Sequence, residues 1–123
     1  ITCIEKNRMH CEFMKNKGYM PICADFLDIE PDPSYDAVFM NPPFTDEVDH
    51  IRHAYEFVKD GGYLISVASG NILENSNKKT QEFKKWFKEK EGYCYKLPPE
   101  SFKEAGTNVS TVLLLFEKDE YQD

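Results

Sequence analysis

Short apolar segments alternating with amphipathic helical segments constrain this chain more than any other feature. Ile1 to Ile4, Tyr19 to Ala24, Tyr35 to Met40 and Tyr63 to Ala68 are brief runs with β-branched and aromatic residues, which read as strands. Asn7 to Lys17 has a helical pattern instead, with Met9, Phe13 and Met14 on one face and Gly18 as its stop. Asp46 to Lys59 places Val48, Ile51, Tyr55 and Val58 at helical spacing, with acidic residues in its first turn and Gly61-Gly62 behind it. Thr80 to Glu91 buries Phe83, Trp86 and Phe87 and turns lysines to water. Strands joined through helices cannot pair as hairpins. An α/β fold is therefore expected, a mostly parallel sheet with helices on both faces. Tyr93 to Leu97 and Ser110 to Phe116 have no helix between them and form an antiparallel pair near the C-terminus. The 123 residues suffice for one core, so a single domain over 1–123 follows.

In such a sheet, ligands collect at the carboxyl ends of the strands. Three of those ends carry Glu5, Asp25 and Asn41. The third is the most specific, because Asn41 opens the run Asn41-Pro42-Pro43-Phe44 directly behind an apolar strand. Proline cannot donate to a ladder, so the strand must stop there in a stiff, donor-free corner. The residue before a proline is held extended, which fixes the direction of its carbonyl. The side-chain oxygen of Asn41 and the carbonyl of Pro42 can take both hydrogens of an amine, localising its lone pair for attack on carbon. Phe44 can stack on a planar group such as a nucleobase. The plainer reading of the same four residues is a strand-ending turn.

Bulk properties narrow the class. Hydrophobic residues are 41% and aromatics 14%, a globular composition, and no apolar run is long enough to span a bilayer. The net charge of −7 argues against a general polyanion binder. Locally, Lys78 to Lys90 holds six lysines against Glu82 and Glu89, either a solvated helix face or a contact for phosphates. No charged-then-apolar leader opens the chain, and Cys3, Cys11, Cys23 and Cys94 form no close pair. A cytoplasmic protein with reduced thiols and no metal site is expected. His10, and His50 with His53, have no partner at ligand spacing and read as surface histidines. Gly70-Asn71 lies at a strand end and Tyr93 and Tyr95 alternate along a strand, the latter pair reading as core or sheet-face packing.

With the corner and the phrases "NPPF…DHIRHAYEFVKDGGYLISVAS" and "LPPESFKEAGTNVSTVLLLFEK", the chain resembles the class I S-adenosylmethionine-dependent methyltransferases of the amino-methylating branch. It looks most like the prokaryotic N6-adenine DNA methyltransferases. The resemblance implies a partial Rossmann-like methyltransferase fold, with S-adenosyl-L-methionine as cofactor and DNA as partner. It makes Asn41, Pro42 and Phe44 the amine-binding corner and Glu5 the acid that holds the donor's ribose hydroxyls. Asp25 would accept from the donor's adenine amino group, Phe26 would pack on that ring, and Phe102 would close on the far side of a flipped base. Plainer readings stand beside these: an exposed glutamate for Glu5, a turn cap for Asp25, and packing for Phe26 and Phe102. A protein glutamine amide or an rRNA guanine amine are the alternative acceptors, and an inactive remnant acting as a binding module is the alternative to an enzyme.

One departure stands out. The glycines are Gly18, Gly61, Gly62, Gly70, Gly92 and Gly106, so the glycine-rich turn of the family is absent. Since Ile1 already lies in a strand, the expectation is a domain truncated at its N-terminus. The family's first strand, which lies between those ending at Glu5 and Asn41, would be missing. Weak donor binding, an inactive isolated chain and self-association through the exposed sheet edge would follow.

Overall fold

The computed structural model describes residues 2–97 and 110–118, in two compact units, Ile1–Pro31 and Asp32–Asp123. In the first unit, strand β1 (Ile4–Glu5) pairs in parallel with strand β2 (Ile22–Cys23), setting Ile4 opposite Ile22 and Glu5 opposite Cys23. Helix α1 (Arg8–Asn16) connects them. Asn7 caps it, its side chain accepting from the N–H groups of Met9 and His10 at 2.9 and 3.1 Å. Both strands are shorter than their apolar runs suggest. Pro21, directly ahead of β2, has no N–H with which to extend the ladder.

Two expectations fail in this unit. Met9 and Phe13 are 80% and 62% exposed, and the fully buried position of α1 is Cys11. Cys11 is also not a reduced thiol: it forms a disulfide with Cys23, their Cα atoms 6.1 Å apart. A search for closely spaced cysteines misses a pair separated by 12 residues, which the helix return brings together. The bond ties α1 to β2. Cys3 and Cys94 are free.

The second unit holds a four-stranded sheet in the order β3-β4-β6-β5. Its strands are β3 (Tyr35–Met40), β4 (Val58–Ser69), β5 (Tyr93–Lys96) and β6 (Thr111–Glu117). β3 runs parallel to β4, with Val38 opposite Leu64 and Met40 opposite Ser66. β6 is antiparallel to both β4 and β5, as the absence of a helix between the last two strands implied. Helix α2 (Glu47–Tyr55) connects β3 to β4, and α3 (Lys78–Glu89) connects β4 to β5.

Alternate residues of β4 and β6 build the core. Leu64, Ser66 and Ala68 are buried opposite Phe116, Leu114 and Val112. Both helices lay aromatic rings on that layer: Tyr55 and Trp86 lie 6.0 and 5.2 Å from Phe116, and Phe87 lies 5.4 Å from it. Tyr55 and Trp86 meet edge to face at 5.4 Å. The opposite face of the sheet carries Phe39, Tyr63, Tyr93 and Tyr95, all exposed, so the two β5 tyrosines belong to a sheet face and not to the core.

The Gly61-Gly62 pair does not stop a helix. α2 ends at Tyr55, four residues earlier than the pattern suggests, and β4 has already begun at Val58. Between the pairs Tyr35–Val58 and Ala37–Tyr63 the ladder shifts register, and the two glycines sit inside that irregularity. Gly61 has φ +86°, a left-handed backbone that glycine adopts freely. At Gly62 an added Cβ would come within 2.6 Å of the Asp36 carbonyl oxygen and 2.9 Å of Val58 Cγ1. Val58, which looked like the last turn of the helix, is a strand residue because this bulge lets the chain enter the ladder early.

Gly62→Ala is expected to destabilise the protein by about 1–3 kcal/mol, since the atom nearest the new methyl is backbone and cannot swing aside. Urea unfolding followed by the fluorescence of Trp86 will measure it.

Candidate active site

Each unit, taken by itself, carries candidate residues at strand ends. In the first, Glu5 closes β1 and Asp25 follows β2, so two carboxylates stand at the carboxyl ends of adjacent parallel strands. The Ala24 N–H donates to the Glu5 carbonyl at 3.1 Å and locks this pairing one residue further. Oε1 of Glu5 accepts from the Asn7 N–H at 3.1 Å and lies 3.2 Å from Nδ1 of His10. Its Oε2 has no hydrogen-bond partner among the described residues. The side chain is about one third exposed. The carboxylate is thus held at one oxygen and open at the other.

Asp25 answers to its plainer reading with one oxygen. It caps the short 3₁₀ turn Phe26–Asp28, its Oδ1 accepting from the Leu27 N–H at 3.1 Å. Oδ2 lies 3.6 Å from Lys6 Nζ, an ion pair at a partly exposed site. Phe26, the first residue of that turn, is half-buried. The carboxylate and the half-buried ring thus occupy consecutive positions at the start of the capped turn.

In the second unit the corner has the form its sequence demands. β3 stops at Met40; Asn41 is exposed, Pro42 buried, and Pro43 extended at φ −62°, ψ 133°. A 3₁₀ turn over Phe44–Asp46 follows, closed by the Asp46 N–H donating to the Pro43 carbonyl at 3.1 Å, and runs straight into α2. Neither the Asn41 side chain nor the Pro42 carbonyl has a hydrogen-bond partner among the described residues. The Asn41 side chain stands at an exposed position, while Pro42 is buried. Phe44 is 43% exposed and lines a cavity of about 160 Å³ together with Glu47, Ile72, Asn77 and Thr80.

Glu47 was legible only as an acidic first-turn residue, and the structure gives it a larger part. It is 6% exposed. Its Oε2 accepts from the backbone N–H of Ser69 at 3.0 Å and its Oε1 from the Ser69 hydroxyl. The signal was present in the pattern. Glu47, Ile51 and Tyr55 are spaced four apart, so the helical period puts the glutamate on the buried stripe. Its position in the first turn of α2 also favours a negative charge.

The remaining candidates separate cleanly. Phe102 lies outside the described residues. His50 Nδ1 is 2.9 Å from the Asp46 carbonyl and the His53 ring packs at 5.2 Å on Phe57, so both histidines have structural company. Among the described residues no group of three or more His, Cys, Asp or Glu side chains is placed to hold a metal, and no helix is long and apolar enough to cross a membrane. On the lysine-rich helix, Lys79 pairs with Asp49 at 2.9 Å and Lys90 lies 5.3 Å from the Tyr55 ring centre.

No protein-family model matches the chain, and no curated protein matches it significantly. Solved structures do match. The M protein of the type I restriction enzyme EcoKI aligns over 94% of this chain and 29% of its own, at 19% identity and a TM-score of 0.68. The T. thermophilus 16S rRNA N2 methyltransferase RsmC, in complex with AdoMet and guanosine, aligns over 98% and 30%, at 18% identity and a TM-score of 0.61. A predicted O-methyltransferase from Agrobacterium tumefaciens aligns over 95% and 61%, at 18% identity and a TM-score of 0.67. The chain has the α/β methyltransferase fold. It spans less than two thirds of these three proteins.

Because the disulfide holds β2 just ahead of Asp25, Cys23→Ser is expected to loosen both strand ends of the first unit. Closure of a loop of this length corresponds to about 3 kcal/mol. Amide exchange at Ala24 and Leu27, with and without reductant, will read the loss.

Proposed function

We propose that this chain is a methyltransferase domain, covering 1–123, that moves a methyl group from S-adenosyl-L-methionine to an exocyclic amine, foremost N6 of adenine in DNA. The carrying observation is the corner at the end of β3, where two unengaged acceptors, Asn41 and Pro42, stand beside an exposed Phe44. An aromatic amine is a weak nucleophile because its lone pair is delocalised. Accepting both of its hydrogens draws the nitrogen toward a pyramidal shape, and the prolines keep those acceptors from rotating away. Phe44 supports the plane of the base by stacking. No strong base is required, since the nitrogen loses its proton as the new N–C bond forms.

The residues of the first unit suit the donor. Glu5, fixed at Oε1 and open at Oε2, can accept from ribose hydroxyls; Asp25 can accept from an adenine amino group, and Phe26 offers a ring face. The donor supplies a methyl group on a sulfonium, whose S–C bond breaks as the N–C bond forms, leaving a neutral thioether.

DNA is favoured as the acceptor by the NPPF corner and by the EcoKI M protein among the fold neighbours. The guanosine-bound rRNA methyltransferase RsmC favours a second reading, a guanine amine in RNA. Lys84, Lys85 and Lys88 on the exposed side of α3 suit phosphate contacts under either reading.

Calorimetric titration of the folded chain with S-adenosylmethionine should give weak heat that Glu5→Ala removes. The isolated chain should form little N6-methyladenine on adenine-containing duplexes, and whatever transfer it shows should fall about 10²–10³-fold in Asn41→Ala. Methylation of guanine in RNA alone would support the second reading. A folded chain with neither donor heat nor transfer would mean that these 123 residues are inert on their own.

A further inference from the structure

The corner is suspended between two anchors, and both are on the same strand. At its start, Met40 is registered opposite Ser66 of β4. At its end, the buried carboxylate of Glu47 grips the N–H and hydroxyl of Ser69, the last residue of β4. The anchors on β4 are three residues apart, a span of about 10 Å along an extended strand. Residues 41–46 must bridge it, and two of them are prolines. With its ends set by one rigid element and its interior stiffened, the corner has little freedom left.

The second anchor differs in kind from the first. Met40 is held by ladder hydrogen bonds that any residue would make. Glu47 is held by a side chain that has spent both oxygens on one serine inside the protein, where an unpaired carboxylate is strongly disfavoured. Both oxygens are thus engaged within the protein. The cavity beside Phe44 is lined by Glu47 as well, so loosening the clamp moves the ring and the cavity wall together.

We infer that Glu47 is a positioning residue, which with Ser69 sets where Asn41, Pro42 and Phe44 stand relative to the incoming amine. Its catalytic consequence rests on the methyltransferase reading above; its mechanical part does not. The clamp acts on the geometry of attack and leaves donor recognition alone, because the donor residues Glu5, Asp25 and Phe26 belong to other elements.

Two variants test it, Glu47→Gln and Ser69→Ala, the first keeping the size of the side chain and the second removing only one hydroxyl. The Asp46 amide, bonded to the Pro43 carbonyl, reports whether the corner is closed. Its hydrogen exchange should rise about tenfold in both variants while Leu64 and Leu114 exchange as before. In methyl transfer, kcat should fall about 10- to 100-fold with the KM for S-adenosylmethionine unchanged, and the double variant should be no worse than the more damaging single one. Unchanged exchange at Asp46, or a rise shared with Leu64 and Leu114, overturns the inference. A wild-type chain without methyl transfer leaves the clamp untouched, since the exchange experiment decides it alone.

Discussion

The β3–β4 ladder is the constraint on which the second unit depends. From Tyr63 to Ser66 β4 is bonded along both edges, parallel to β3 and antiparallel to β6, so its backbone groups there are satisfied within the sheet. That frees its side chains to alternate. Leu64 and Ala68 join Phe116 in the layer on which Tyr55, Trp86 and Phe87 rest. The same strand determines where the corner begins, through Met40, and where it ends, through Ser69. Core and candidate site are thus built on one element. A disturbance of β4 reaches both.

The alternation of strands and helices was plain in the residues, because burial imposes periods of two and 3.6 that few other demands imitate. The pairing of the last two strands followed from the lack of a helix between them. Boundaries were harder wherever a local signal had two physical uses. Gly61-Gly62 looked like a helix terminator, yet glycine serves equally where backbones crowd, and Asp36 crowds this one. Met9 and Phe13 formed an apolar stripe on α1, but the disulfide turns Cys11 inward and leaves them at the surface. Cysteines distant in sequence carry no mark of their pairing until the helix between them is formed.

In the candidate site, the parts legible in advance were those whose chemistry is written locally. Asn41 through Phe44 announces a stiff strand end, and Glu5 and Asp25 fall at strand ends once the strands are recognised. Asp25 shows how a single carboxylate can cap the backbone at Leu27 with one oxygen and pair with Lys6 through the other. The Glu47–Ser69 pair was not legible as a contact, since the partners are 22 residues apart and either residue alone is unremarkable at its position. What the helical period did carry was the direction in which Glu47 points.

The irregularity in the β3–β4 ladder has a bearing on how such a chain can vary. Between two matched pairs, β4 advances from 58 to 63 while β3 advances only from 35 to 37, so surplus residues are absorbed at one end of the strand. The opposite end, where Phe39 and Met40 face Ile65 and Ser66, keeps strict step. Lys59 and Asp60 in the bulge are exposed, and an insertion or deletion there would lengthen or shorten a surface swelling. The reading frame of the site end would be preserved. The strand thus has a tolerant end and an exacting one, and drift in length over generations can collect at the first without being felt at the second.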